Sequence, residues 1–197
     1  MQHSQDPGAA QSARSVSVVL AGSGGAGVMT AGNMLLEAAA HAGYYALMTR
    51  SSGPQIRGGE AAAMLRIACE PIGCMEDRFH VLAAVDWENV QRFNAEVPLG
   101  ESSLIVGDPD QGEPPDAFLK SGAARASLPL RKIAKSVPEG RANMVLLGAL
   151  AALLGLPDEA VAQAVERTLG KRPAALAPSL AAVAAGRAAA AGIAVRF

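Results

Sequence analysis

The segment Ser15–Gly32, SVSVVLAGSGGAGVMTAG, joins a short β-branched run to a glycine cluster and then to a periodic apolar stretch. The run Ser15–Ala21 predicts a buried strand. The stretch Val28–Ala42, which is followed by Gly43, predicts a helix with a glycine stop. Between them, Gly22–Gly27 has the form G-x-G-x-x-G. A glycine turn that opens a helix offers free N–H groups and the positive end of the helix dipole to an anion. The segment therefore predicts a phosphate-bearing ligand, or alternatively a tight turn whose glycines serve helix–sheet packing.

The rest of the chain continues the alternation of short apolar runs and helical patterns. Strands that alternate with helices predict an α/β fold, here Rossmann-like, with a mostly parallel sheet and helices on both faces. Further strands are predicted at Tyr44–Thr49, Glu60–Cys69, Val81–Val85 and Ser102–Gly107, and further helices at Asp86–Asn94, Asn143–Gly155 and Pro157–Leu169.

Composition excludes several classes of protein. The 197 residues suffice for one domain of ordinary size, and 17 basic against 18 acidic residues leave no basic excess for nucleic acid. Two cysteines, Cys69 and Cys74, exclude a disulfide scaffold and a self-contained iron–sulfur cluster, and no metal site is predicted. The longest uncharged apolar run, Met144–Leu156, is shorter than the ~20 residues that span a bilayer. We therefore expect a cytoplasmic protein without a membrane anchor.

The chain divides into three parts by composition. Residues 1–14 are small and polar, and they predict a disordered N-terminal extension. Residues 15–172 carry the α/β pattern and form the predicted domain. Residues 173–197 are rich in alanine and predict a helical tail or a linker.

A second loop, Ser51–Gly59, follows the second predicted strand with the sequence SSGPQIRGG. In a parallel sheet this loop lies at the same edge as the glycine turn. Its cation, Arg57, can hold a phosphate or carboxylate with two parallel hydrogen bonds, or can tie the loop to the sheet or to a partner chain. The candidate ligand-binding residues are Gly22, Ser23, Gly24, Gly25 and Gly27 in the turn, and Ser52, Gly53, Pro54, Arg57, Gly58 and Gly59 in the loop.

A dinucleotide site is the alternative ligand hypothesis for the glycine turn. Such sites usually carry an acid at the end of the second strand, which holds the ribose hydroxyls. Here that strand ends at Thr49 and Arg50, and Arg50 could instead meet a 2′-phosphate. NADP is therefore not excluded.

Other charged groups and the single tryptophan have plain structural interpretations. We interpret Asp108–Asp116 as a solvated acidic loop, and Arg131, Lys132 and Lys135 as a solvated helix face in preference to an anion site. Asp86 is placed to cap the helix that follows it. Trp87 is expected to pack in the core or at an interface.

Three motifs together resemble one family. Gly22–Gly32 (GSGGAGVMTAG), Ser52–Gly59 (SGPQIRGG) and Asn143–Leu156 (NMVLLGALAALLGL) resemble, in the same order, the gamma subunit or gamma domain of 2-oxoacid:acceptor oxidoreductases. These are the pyruvate, 2-oxoglutarate and 2-oxoisovalerate:ferredoxin enzymes. The Gly-Pro-x-x-Arg-Gly-Gly form is more similar to the 2-oxoglutarate and branched-chain members.

The resemblance implies a role in a larger enzyme. Enzymes of this family convert a 2-oxoacid and coenzyme A to acyl-CoA and CO2, and they reduce ferredoxin. Thiamine diphosphate, Mg²⁺ and [4Fe–4S] clusters are expected only in the partner alpha and beta subunits. This chain would help the subunits to assemble and would form part of the coenzyme A site. It would hold no catalytic residue and would be inactive alone. The alternatives are a freestanding NAD(P)-binding Rossmann reductase and a non-catalytic assembly module.

Overall fold

The protein was analysed as a computed structural model that describes residues 15–53, 59–88 and 90–193. The predicted N-terminal extension, residues 1–14, lies outside the described residues.

The described residues form a six-stranded sheet with the order β2-β3-β1-β4-β5-β6. Strands β1, β4, β5 and β6 pair in parallel, whereas β3 is antiparallel to both β1 and β2. Five of the six strands therefore run in one direction, which confirms the mostly parallel α/β sheet. The strands are β1 Ser15–Ser23, β2 Tyr45–Ser52, β3 Glu60–Ala68, β4 Val81–Ala84, β5 Leu104–Gly107 and β6 Ala124–Ser127.

Alternate residues of the strands enter two separate cores. Val18 and Leu20 of β1 face the larger core, and Val19 and Ala21 face the smaller one. The larger core is covered by α1 and α3–α6, while a 3-10 helix at Val90–Ala95 and the short α2 cover the smaller core. Helices on both faces are thus confirmed. The α-helices are α1 Val28–His41, α2 Asp116–Leu119, α3 Leu130–Lys135, α4 Ala142–Leu153, α5 Asp158–Leu169 and α6 Pro173–Ala190.

The smaller core is built from aromatic side chains. Phe79, Phe93 and Phe118 are almost fully buried, and Trp87 is 6% exposed. The indole lies against Gly107, where an added Cβ would be 2.7 Å from Cζ2 of Trp87. This confirms the packing role expected of the tryptophan.

The alanine-rich C-terminal segment is helical over most of its length and packs on α4. At the crossing, a Cβ on Gly148 would lie 1.9 Å from the Val183 oxygen, and a Cβ on Gly186 would lie 1.9 Å from the Val145 oxygen. Small side chains therefore allow two helix backbones to approach closely, which explains how an alanine-rich helix of weak amphipathicity is held in place.

Candidate anion-binding site

The glycine turn connects the central strand to α1. The N–H of Ala26 donates to the oxygen of Ser23 at 2.9 Å, which closes the turn. Gly27 has φ 77° and ψ 21°, a left-handed conformation that favours glycine, and α1 begins at the next residue. Since the first N–H groups of a helix have no partner within the helix, the turn presents unpaired donors at this point.

Asp86 supports the turn from the loop that follows the neighbouring parallel strand β4. Its carboxylate accepts hydrogen bonds from the backbone N–H of Ser23 at 2.9 Å and from the Ser23 hydroxyl at 2.8 Å. The prediction that Asp86 caps the next helix is wrong, because this buried carboxylate binds Ser23 and the helix that follows is a 3-10 helix beginning at Val90. The donors of Ser23 are therefore occupied, and the remaining N–H groups of the turn are those available to a ligand.

The two predicted loops meet at one edge of the sheet, as the sequence led us to expect. Ser23 pairs with Glu60 in the register of β1 and β3, and the N–H of Gly53 donates to the Glu60 oxygen at 2.9 Å. A Cβ on Gly24 would lie only 2.5 Å from the oxygen of Gly59. Turn and loop are thus in direct backbone contact.

Gly53 and Gly59, near the two ends of the second loop, are among the described residues. Pro54, Arg57 and Gly58 lie outside the described residues, so their ligand contacts stay predictions. Gly53 borders the buried carboxylate of Glu60, which pairs with Arg92 Nη1 at 3.0 Å. The loop ends are therefore fixed to the same edge as the turn.

Arg50 lies away from the glycine turn. The antiparallel strand β3 stands between β1 and β2, so Arg50 is separated from the turn by one whole strand. Its Nη2 donates to Asn33 Oδ1 at 2.8 Å on the surface. In a dinucleotide site the strand after the first helix lies beside β1, because it must reach the ribose. The NAD(P) alternative is therefore not favoured.

A cavity of about 480 Å³ opens beside the glycine turn. It is bordered by Gly25 and Gly27 of the turn and by the N-terminal ends of α4 and α6. Its volume lies within the roughly 300–1,000 Å³ of sites for small molecules and cofactors. Arg131, Arg141 and Arg172 line this cavity.

Sequence reasoning missed this group of arginines. They come from three segments of the chain and are brought together only by helix packing, so no local spacing identifies them. Arg131 was interpreted with Lys132 and Lys135 as part of a solvated helix face; all three residues are exposed, and Arg131 in addition borders the cavity. Within the described ranges, none of the three arginine side chains forms an ion pair.

Asp108 fixes the start of α3, which carries Arg131. Its carboxylate accepts hydrogen bonds from the backbone N–H of Arg131 at 2.7 Å and of Asp110 at 3.0 Å. Asp108 is 1% exposed. The interpretation of this residue as part of a solvated acidic loop is therefore wrong, because its carboxylate anchors the backbone of a helix 23 residues further on.

Two buried polar side chains also border the cavity. Asn143 Nδ2 donates to the Gly27 oxygen at 3.1 Å and so ties the glycine turn to α4. Ser179 of α6 is 7% exposed, and its hydroxyl has no hydrogen-bond partner among the described residues. The Ser179 hydroxyl is therefore open to the cavity rather than enclosed.

Metal binding and membrane insertion are considered for the described residues, 15–53, 59–88 and 90–193. No group of three or more histidine, cysteine or acidic side chains there is arranged to hold a metal ion. No helix there is long and apolar enough to cross a bilayer.

Comparison with known proteins identifies the family. The model of the family described as pyruvate ferredoxin/flavodoxin oxidoreductase matches residues 17–189. The chain belongs to this family. A relative from Archaeoglobus fulgidus, the 2-oxoglutarate synthase subunit KorC, is 30% identical over 169 residues, which cover 80% of this chain and 81% of that protein.

Solved structures of two ferredoxin oxidoreductases share the fold. The gamma subunit of a keto/oxoacid ferredoxin oxidoreductase from Geobacter sulfurreducens matches with a TM-score of 0.68 and 26% identity, over 89% of this chain and 98% of that one. The 2-oxoglutarate:ferredoxin oxidoreductase from Magnetococcus marinus, solved with 2-oxoglutarate, coenzyme A and succinyl-CoA bound, matches with a TM-score of 0.79 and 26% identity. That match covers 93% of this chain, which spans only a third of the Magnetococcus chain. The predicted resemblance to gamma components is confirmed.

Proposed function

We propose that this chain is the gamma component of a thiamine-diphosphate and iron–sulfur 2-oxoacid:ferredoxin oxidoreductase. The assembled enzyme would convert a 2-oxoacid, coenzyme A and oxidised ferredoxin to acyl-CoA, CO2 and reduced ferredoxin. Support comes from the family, from the similarity to a subunit of a 2-oxoglutarate synthase and from the shared fold with a gamma subunit.

The redox and decarboxylation chemistry belongs to partner subunits in this proposal. The chain's two thiols, Cys69 and Cys74, are exposed, and two thiolates are too few for the four that a [4Fe–4S] cluster needs. The described residues also lack a group of acids suited to the Mg²⁺ that accompanies thiamine diphosphate. Alpha and beta subunits would hold these cofactors, and ferredoxin would accept the electrons. Exposed free thiols fit a reducing compartment, so we place the complex in the cytoplasm.

This chain's own role would be to bind the phosphate end of coenzyme A. The single observation that carries this proposal is the contact of Gly24 with Gly59, which joins the glycine turn and the second loop beside a cavity. Unpaired N–H groups and the N-terminal dipole of α1 favour an anion there, and Arg57 would add a charged donor. Anchoring the phosphates would leave the distant thiol free to accept the acyl group in a partner subunit.

Native mass spectrometry of the endogenous protein, isolated without oxygen, tests assignment to the complex. Iron and thiamine diphosphate would be quantified in the same sample. We expect larger partner chains together with both cofactors. A lone 20.0 kDa chain, or its homodimer, without iron and thiamine would contradict the proposed function.

Substitution of Arg57 separates ligand contact from assembly. In the intact complex, Arg57→Gln should raise the KM for coenzyme A while subunit composition stays the same. Arg50→Gln is the matched control, because the Arg50 guanidinium donates to the surface residue Asn33 and lies one strand away from the glycine turn. Loss of assembly in Arg57→Gln, with no change in KM of the complex that remains, would favour a purely structural loop.

A further inference from the structure

The second loop is closed at its base by Glu60, the first residue of β3. The backbone oxygen of Glu60 accepts a hydrogen bond from the N–H of Gly53 at 2.9 Å. Ser23, at the end of β1, stands opposite Glu60 in the strand register. The residue before Glu60, Gly59, supplies the oxygen that lies against Gly24. One residue therefore joins both ends of the loop to the glycine turn.

The side chain of Glu60 carries its charge in a buried place. The residue is 5% exposed. A Cβ on Gly53 would lie 2.6 Å from the carboxyl carbon of Glu60 and 2.7 Å from its Oε2, so the carboxylate packs directly against the backbone of Gly53. A buried carboxylate is costly unless a cation or hydrogen-bond donors compensate its charge. The position of the loop base therefore depends on what compensates Glu60.

Arg92 supplies that compensation from the layer that covers the smaller core. Its Nη1 lies 3.0 Å from Oε1 of Glu60. Arg92 belongs to the 3-10 helix Val90–Ala95, in which Val90 and Phe93 are fully buried in the smaller core. Since these apolar side chains fix the 3-10 helix, the ion pair fastens the loop base to a rigid part of the protein.

The Glu60–Arg92 pair differs in burial from other ion pairs of the described residues. Its carboxylate side chain is 6% exposed. The carboxylate side chains are between 23% and 80% exposed in the other pairs that arginines form, those of Arg66, Arg125, Arg167 and Arg187. Breaking an exposed pair has little effect, whereas removing the cation of a buried pair leaves an uncompensated charge. The sensitive pair is therefore the one at the base of the loop.

We infer that Glu60 and Arg92 are positioning residues, which hold the two ends of the second loop at the spacing that ligand binding requires. Neither residue borders the cavity beside the glycine turn, so the pair acts through the backbone of Gly53 and Gly59 and not through contact with the ligand. Without Arg92, the carboxylate has to turn towards water to be solvated, and it then leaves its place against Gly53. The choice of coenzyme A as the ligand rests on the proposed function.

Amide hydrogen exchange of the full chain, followed by NMR, tests the positioning role without any ligand. The probe is the Gly53 amide, whose acceptor is the Glu60 oxygen. In Arg92→Gln this amide should exchange at least about 10-fold faster, because the buried charge is uncompensated. The double variant Glu60→Gln/Arg92→Gln has no buried charge and should stay within about 3-fold of the wild type. Arg125→Gln, which breaks the exposed pair with Glu113, is the matched control and should leave the Gly53 amide unchanged.

Steady-state kinetics of the assembled enzyme separate positioning from plain stabilisation. Arg92→Gln should raise the KM for coenzyme A about 10-fold and change kcat less than about 2-fold, since the change weakens binding and not the chemical steps. The double variant should return this KM to within about 3-fold of the wild type. A pair that serves only stability would lower the Tm of Arg92→Gln and leave the KM of the folded complex unchanged.

Three results would overturn the inference, each in a different way. Equal exchange of the Gly53 amide in the wild type and Arg92→Gln would show that the pair does not hold the loop base. A double variant as impaired as Arg92→Gln would show that an unpaired buried charge is not the cause. Faster exchange with an unchanged KM for coenzyme A would leave the pair a structural role alone. Failure of the proposed function appears elsewhere, in a native complex that lacks iron and thiamine, and does not alter the exchange result.

Discussion

Substitution of Gly24 and Gly25 by alanine distinguishes a turn that serves packing from a turn that contacts a ligand. The two glycines are adjacent, yet their surroundings differ. A Cβ at position 24 would lie 2.5 Å from the Gly59 oxygen, whereas a Cβ at position 25 would have nothing within 4 Å. Gly25 lines the cavity. The same chemical change therefore has two different physical consequences.

The loss of unfolding free energy expected for Gly24→Ala follows from the distance between the added Cβ and the Gly59 oxygen. A Cβ is not found closer than 3.0 Å to such an atom, so the turn and the loop must separate by about 0.5 Å or more. The neighbour is a backbone oxygen and cannot rotate away. Overpacking of this kind costs about 1–3 kcal/mol of unfolding free energy, and each kcal/mol lowers the Tm of a domain of this size by roughly 2–4 °C. Gly25→Ala should change the unfolding free energy by less than about 0.5 kcal/mol.

The assay combines thermal and urea unfolding with calorimetric titration of coenzyme A. We expect Gly24→Ala to be less stable and Gly25→Ala to be as stable as the wild type but weaker in coenzyme A binding, because its methyl group occupies space that a phosphate needs. Equal stability of the two variants would refute the close contact between turn and loop. Wild-type binding of coenzyme A by Gly25→Ala would refute the ligand contact and leave packing as the role of the turn.

Three further substitutions test the supports of the site and the packing that forms it. Asp86→Ala leaves the Ser23 N–H without its acceptor in a mostly buried place, so urea unfolding should show that the free energy of unfolding falls by about 1–3 kcal/mol. An unchanged urea midpoint would contradict the role of Asp86 in holding the glycine turn. Asn143→Asp sets a carboxylate against the Gly27 oxygen beside the cavity. Titration with pyrophosphate at low salt should show binding weakened at least about 10-fold. Equal affinity of the variant and the wild type for pyrophosphate would mean that the anion binds elsewhere. Gly186→Ala puts a Cβ 1.9 Å from a carbonyl oxygen of α4, so the Tm should fall by several degrees. Alanine at an exposed helical glycine would instead raise the Tm, and a raised Tm would show that α4 and α6 do not cross so closely.

Local sequence patterns were sufficient for the elements on which the site is built. The β-branched run before the glycines predicted β1, and the apolar period with its glycine stop predicted α1. These predictions hold because a strand, a glycine turn and a helix start each depend on neighbouring residues. The expectation that the second loop lies at the same sheet edge as the glycine turn also holds, since β1 and β2 run in the same direction even though β3 separates them.

The carboxylates show where local reasoning fails. Asp86 and Asp108 each follow a strand closely. From the sequence, Asp86 was expected to cap the next helix and Asp108 to lie in a solvated loop. In the structure, Asp86 binds Ser23 and Asp108 binds the backbone of Arg131, so both partners are distant in sequence. Burial of a carboxylate requires such donors, but the sequence alone does not show which backbone groups come within reach.

The sequence by itself determined the order of strand, glycine turn and helix, the family resemblance and the common edge of the two loop motifs. Only the tertiary structure decided that β3 stands between β1 and β2, which moves Arg50 away from the turn, and that Arg131, Arg141 and Arg172 share one cavity. The physical reason is the range of the interactions. Turns and helix ends are specified within a few residues, whereas the cavity depends on close helix packing, such as that of α6 on α4 through Gly148 and Gly186, and no local pattern encodes that contact.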